Sequence, residues 1–278
     1  MKQAFIFSFL LCSLLFSQNE APKPEWSHTL IAGLTFTQVS HTDWVQGGEN
    51  ALAYTFTIDG KSVRDVTLLN WSNSYKIGYG QTRLGSKGLR KTEDKIELES
   101  VLTYKMGTHI NPYVSATLKS QFDDGFKYND AAGTKVQTSS RFDPAYLTQA
   151  VGVGYQPIAQ VKTRLGAGLR EVFSGTYGYA DDPATATIET SKVEGGLESV
   201  TDLSWQFEEN ILFTSKLEMF APFNNLDVVI VRSDNMLAAK VSTYISVNLT
   251  VQLINDANVL ARTQVKQSLA MGLTYTLL

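Results

Sequence analysis

The last fifteen residues, Gln264 to Leu278 (QVKQSLAMGLTYTLL), constrain the fold more than any other stretch. Leu269, Met271, Leu273, Tyr275 and Leu277 are apolar or aromatic, and the residues between them are small or polar. Period-two alternation builds a strand with one greasy face and one polar face. The run reaches the final residue without a polar tail, so its greasy face needs a covered sheet or a lipid bilayer. Placed at the end of an exported chain, it reads as the strand that closes a transmembrane β-barrel by pairing with the first.

The N-terminus supports export. Lys2 precedes an apolar run from Ala4 to Phe16, and Ser17-Gln18 is a plausible cleavage point, which predicts a signal peptide over 1–17. A short extension, 18–25, leads to a barrel domain over 26–278. Leu11 stands before Cys12 where a lipoprotein signal needs a small residue, so lipid attachment is disfavoured. Removal of the leader removes the only cysteine, and with it any disulfide framework.

The alternation recurs about twelve times. Apolar sets include Leu30 to Phe36, Leu52 to Ile58, Leu69 to Tyr79, Ile96 to Tyr104, Val114 to Leu118 and Leu147 to Tyr155. They continue over 161–173, 194–207, 211–219, 228–241, 245–253 and the C-terminal run, with the parity of 228–241 blurred by VVIV. Asp59-Gly60 and Gln156-Pro157 read as turns. Connections after even-numbered strands are short, and most of those after odd-numbered strands are longer, notably 123–144 and 174–190. This sorting fits an up-and-down barrel with short turns at one rim and loops at the other. The fold expected is all-β: an antiparallel up-and-down transmembrane β-barrel of about twelve strands. A soluble β-sandwich is the alternative, but it has no reason to sort its loops.

Charges then fall on one face of several strands. The expected lumen lining is Lys76, Glu97, Glu99, Lys119, Lys162, Arg164, Arg170, Glu194, Glu198, Asp202 and Lys216. A Lys or Arg facing lipid at mid-depth costs roughly 2–4 kcal/mol, which assigns this face to the bore. Both signs are present, so the bore is either filled by paired charges or lined by them around water. Gly78-Tyr79-Gly80, Gly152-Val153-Gly154 and Gly166-Ala167-Gly168 open no helix and are not nucleotide fingerprints; they are expected to make room for long inward side chains. Trp26, Trp71, Tyr75, Tyr79, Tyr104, Tyr155, Phe173, Trp205 and Phe207 are expected to form interfacial girdles.

Asp43 to Asn50 (DWVQGGEN), Tyr75 to Gly80 (YKIGYG), Leu89 to Ile96 (LRKTEDKI) and Phe122 to Tyr128 (FDDGFKY) occur in that order. In these the chain resembles a Bacteroidota-type family of outer-membrane β-barrels that carries only a domain-of-unknown-function label. The family's Trp-x-x-Gly-Gly-x-Asn motif is matched by Trp44, Gly47, Gly48 and Asn50. The chain departs from such barrels in finishing on Leu277-Leu278 in place of an aromatic residue. The resemblance implies fold and a Gram-negative outer-membrane location, and brings no catalytic residues.

Function is less constrained. The first expectation is a small porin or transport-type channel with a mixed-charge lumen. The alternative is a closed structural or partner-binding barrel of an outer-membrane complex, acting through its long loops. His41-Thr42-Asp43, with Asp123 and Asp124, falls short of the acid and imidazole constellation of a rim hydrolase, so no enzyme activity is expected. Three scattered histidines and no mature cysteine predict no metal site or other cofactor. A net charge of −3 without a basic run predicts no nucleic-acid partner. Expected partners are outer-membrane lipid, the barrel-assembly machinery through the C-terminal strand, and an outer-membrane protein.

Overall fold

A computed structural model describes residues 26–41, 48–182, 185–257 and 259–277. The expected signal peptide and extension lie outside them. Fourteen strands form, twelve of them in one closed antiparallel barrel. The barrel strands are β1 (Trp26–Val39), β2 (Ala51–Asp65), β3 (Leu69–Leu84), β4 (Arg90–Tyr104), β5 (Ile110–Ser120), β8 (Ala145–Ile158), β9 (Val161–Phe173), β10 (Ser191–Glu208), β11 (Ile211–Pro222), β12 (Ile230–Lys240), β13 (Ile245–Asp256) and β14 (Leu260–Thr276). Each pairs with its neighbours in the chain, and β14 returns to β1. Closure pairs every barrel strand on both sides, over most of its length everywhere except between β1 and β14, and so satisfies most backbone donors and acceptors that lipid could not.

β6 (Gly125–Asn129) and β7 (Thr134–Ser139) form a separate hairpin inserted between β5 and β8. It occupies the run expected to be a plain loop. Phe126 and Tyr128 on β6 and Val136 on β7 give it its own short alternation, and Arg90 and Lys135 lie over the Tyr128 and Phe126 rings at 4.1 Å.

Two expected turns are strand instead. Asp59 and Gly60 lie within β2, opposite Lys76 and Tyr75 of β3. A side chain at Gly60 would run into the Tyr75 ring, so this glycine provides a close approach and not a bend. Gln156 and Pro157 lie within β8 at an irregularity between Tyr155 and Ile158, and the turn comes at 159–160. A missing N–H is tolerated at a bulge.

Alternation around the ring separates two faces. Leu34, Phe36, Leu98, Val114, Val151, Leu165, Leu197, Leu249, Leu269 and Leu273 are exposed on the outside. Side chains that large have no reason to face water around a whole ring, but they suit lipid. Trp26, Trp71, Tyr104, Tyr155, Phe207 and Tyr275 cluster at the short-turn rim, with Trp26 and Trp71 rings 5.3 Å apart. Phe173 and Tyr79 lie towards the loop rim. The fold is an all-β membrane-type barrel.

Candidate functional site: the charged bore

The inward face is organised by register. Asp59, Lys76, Glu97 and Lys119 are successive ladder partners on β2, β3, β4 and β5. Lys162, Asp202, Lys216 and Asp234 are successive partners on β9, β10, β11 and β12. Both rows alternate in sign, as favourable cross-strand pairing requires. They stand on different sides of the bore.

At mid-height the two sides meet. Lys216 of β11 reaches Glu99 of β4 at 2.9 Å and Glu97 at 3.9 Å. Arg164 of β9 donates to Glu99 at 2.6 Å, and Lys119 of β5 bonds Glu218 of β11. Arg232 of β12 lies 3.8 Å from Glu97. In the ring order β12 stands six strands from β4, diametrically opposite. Two side chains therefore span the full bore, which pinches the ring along that diameter. Twelve strands fall between barrels filled by side chains and open porins, and here charged side chains complete the filling. Glu97 and Arg164 are only 4% and 3% exposed.

Such burial is expensive unless every charge is paired. Most are, and the Tyr113 hydroxyl and the Glu198 carboxylate are buried beside each other. The Arg164 guanidinium sits 5.6 Å over the Tyr113 ring, and Gly166 leaves the space that the phenol fills. A second cluster lies nearer the loops, where Arg170 of β9 binds Glu194 at 3.4 Å and Asp256 of β13 at 3.1 Å.

Among the sequence-derived lining residues, Glu97, Glu99, Lys119, Arg164 and Lys216 converge at the constriction, and Arg170 pairs with Glu194 above it. Asp202 reaches only the edge, 3.9 Å from Arg164. Lys76 and Lys162 share the inward register, yet no ion pair forms at either among the described residues. Sequence reasoning missed Glu93, Lys95, Glu218, Arg232, Asp234 and Lys266. Glu218 sits between Leu217 and Met219 and was visible by alternation. Arg232 and Asp234 were hidden because Val228 to Val231 erase the parity of the strand that carries them.

On the loop side of the constriction lies a polar cavity of about 160 Å³. Glu93, Lys95, Glu97, Lys119, Arg232, Gln252 and Lys266 line it, and Lys266 reaches Glu93 at 2.5 Å. Beside it, three of the segments that carry the family resemblance, 75–80, 89–96 and 122–128, meet. Asp94 accepts the Phe122 and Asp123 N–H groups at 2.7 and 2.9 Å, and Lys91 at 2.7 Å. The Tyr79 hydroxyl donates to Asp123 at 2.8 Å and holds its carboxyl below the usual range. Asp123 is thus committed to a loop anchor. Trp44 and Gly47 lie outside the described residues, as do Thr42 and Asp43. Asn50 Oδ1 accepts the His41 N–H at 2.7 Å, and Gly48, at φ 139°, takes a conformation closed to other residues.

The comparisons with known proteins can now be set beside this geometry. A family described as "Protein of unknown function (DUF3078)" matches residues 36–126, about a third of the chain, from the end of β1 to the start of β6. No curated protein matches. Solved structures show low-scoring similarity: the translocator domain of autotransporter NalP from Neisseria meningitidis (11% identity, TM-score 0.36, 90% of this chain and 86% of that one) is one. An outer membrane channel from Pseudomonas putida F1 is another (7%, TM-score 0.40, 94% and 99%), as is the outer membrane channel DcaP of Acinetobacter baumannii (8%, TM-score 0.28, 90% and 96%). The barrel itself is identified by the closed ladder and the apolar exterior, and the family match covers the carboxylate-bearing wall of the bore.

Proposed function

We propose that the chain is an outer-membrane barrel that passes small polar solutes through a bore held narrow by the mid-height ion pairs. Its apolar exterior suits lipid, and its closing strand β14 is the element offered to the barrel-assembly machinery. It acts without catalysis. The single observation that carries the channel reading is the composition of the constriction. A bore sealed by apolar side chains would exclude water, whereas charged side chains can exchange their partners for a polar solute. This barrel crosses its bore with charged side chains, whose desolvation apolar residues would not incur. Polar groups kept at that expense suit a polar solute. Because the charges alternate in sign, such a bore selects by size and polarity more than by ionic sign.

Planar-bilayer recording on the folded mature chain tests this. The native protein should show small, infrequent steps. Glu99→Gln with Lys216→Met removes the central bridge and should give larger and more frequent ones. A native protein with large steady conductance would contradict a narrow bore. Silence from the double variant, shown by gel mobility to be folded, would sink the channel.

The hairpin favours a second reading, a partner-binding barrel. Asp130 at its tip is held by Lys87 at 2.9 Å and Arg90 at 2.5 Å, which fixes β6–β7 against the β3–β4 loop as a rigid surface. A silent double variant would direct attention to proteins that co-purify through this hairpin.

A further inference from the structure

The barrel is not equally closed all the way round. β1 and β14 share only the ladder Ile31–Leu34 against Leu273–Thr276, plus a bond from the Leu277 N–H to Leu30 O at 2.7 Å. Every other neighbouring pair is laddered over eight residues or more. Above Leu34 the two strands continue as strands, β1 to Val39 and β14 back to Leu260, without pairing to each other. They approach closely at Gly272, where an added Cβ would lie 2.5 Å from Leu34 O and 2.6 Å from Thr35 Cγ2. Beyond that point the seam is unzipped on its loop-side half.

Two properties give the opening chemical character. The lips on the lipid side are among the most exposed apolar residues of the barrel: Phe36 at 60%, Leu269 at 74% and Met271 at 68%. Inside, the polar cavity reaches β13 and β14 through Gln252 and Lys266. Its carboxylates are largely consumed. Asp94 caps the 122–123 backbone, and Glu97 faces the constriction, with side chains only 3% and 4% exposed. The lining holds four cations, Lys95, Lys119, Arg232 and Lys266, each in an ion pair, against three carboxylates, Glu93, Asp94 and Glu97, so it carries one excess positive charge, and Lys266 is its most exposed member at 47%.

We propose that the loop-side cavity receives the anionic head of an amphiphile whose apolar tail passes through the unzipped β1–β14 seam into the surrounding leaflet. Cationic side chains recognise the head, and the apolar lips cover the tail. The inference needs the barrel to lie in a membrane, but it is independent of conduction through the constriction, which lies below the cavity.

The test uses the mature chain in phosphatidylcholine nanodiscs, with hexadecanoate and hexadecanol as probes. Hexadecanoate should bind, and hexadecanol about tenfold more weakly. Lys266→Gln should weaken the carboxylate several-fold and leave the alcohol unchanged. Continuing the β1–β14 register would place Thr37 opposite Ala270. A disulfide between Thr37→Cys and Ala270→Cys therefore closes the upper seam, since such a bond needs Cα atoms within about 7 Å. Once oxidised it should abolish loading, and reduction should restore it. A disulfide between Ile31→Cys and Thr276→Cys, where the strands already pair, should change nothing. Phosphatidylglycerol added to the disc distinguishes two sources of the same chemistry: competition with hexadecanoate indicates a phospholipid, and its absence a free fatty carboxylate. Equal binding of acid and alcohol, or loading that ignores a formed upper disulfide, would overturn the proposal. Spin labels at 37 and 270 give a check that needs no disulfide: a distance as short as that between labels at 31 and 276 would show a closed seam. Conductance of the Glu99→Gln, Lys216→Met protein, recorded with the seam locked, separates failure of this site from failure of the channel.

Discussion

The wall formed by β3, β4 and β5 and the seam between β14 and β1 are made from the same kind of alternating strand, yet they behave as opposites. In the wall, long ladders are reinforced from inside, because Glu93, Glu97 and Glu99 each reach a cation on the far side of the bore. At the seam the inward residues are Gly33, Thr35, Thr37, Ser268, Ala270, Gly272 and Thr274, which are small and uncharged, and the ladder is four pairs long. A β-barrel is therefore not uniformly stiff because it is closed. Side chains crossing the bore decide where the ring is braced: β14 is tied to the wall through Lys266 and Glu93, whereas the facing stretches 33–37 and 268–274 carry only small uncharged inward residues, and there the ring can part.

The contrast can be broken most severely from the wall side. Lys216 lies within 4 Å of Glu97, Glu99 and Glu218, so Lys216→Met removes the one cation these three buried carboxylates share and leaves them to Lys119, Arg164 and Arg232. A loss of about 3–5 kcal/mol is expected in urea unfolding from lipid vesicles. Combined with Glu99→Gln, the loss should be less than the sum of the two single variants, because both report on one network. Strict additivity would mean that the wall is not braced as a unit.

A smaller effect is expected at the seam. Gly272→Val forces a side chain against the Leu34 carbonyl and the Thr35 methyl and should cost about 1–3 kcal/mol in the same titration. Ala270→Val, one inward position further into the unzipped half, should stay within about 0.5 kcal/mol of the native protein. Equal costs at the two sites would mean that the seam is zipped along its whole length.

The smallest effect belongs to the hairpin that stands on the wall. Arg90 first, and then Lys87, hold the Asp130 carboxyl down to about 2. A depressed folded pKa contributes stability that is complete above the ordinary carboxylate range near pH 4 and is lost as pH falls towards 2. Amide exchange in β6 and β7 should rise across that window while the barrel amides stay protected. Arg90→Gln should move the onset upward. Hairpin exchange that ignores pH between 4 and 2 would show that the ion pairs do not hold it.

Much of this was legible in the chain. A period of two survives translation into structure because the pleat imposes it, which is why Leu98 and Glu99 sit on opposite faces as alternation requires. Loop sorting was legible because short turns and long connections belong to different rims. Single-residue punctuation was less faithful: Asp59-Gly60 has turn chemistry, but the Tyr75 ring on the next strand needs the space the glycine leaves. Spacing also cannot tell that Arg232 meets Glu97, since that contact depends on how far the ring is pinched. Nor does alternation encode the length of the seam, which follows from the stagger at which the last strand meets the first.

The sign-alternating rows have a consequence for any ion in the bore. Charges of opposite sign on adjacent strands, about 4.8 Å apart, form a lattice of dipoles with almost no monopole. The field of such a lattice fades within a strand spacing or two, a range shorter than the ~8 Å over which physiological salt screens a single charge. Bulk salt would then do little to it, and the barrel would look electrically featureless to an approaching ion until the ion is already among the side chains.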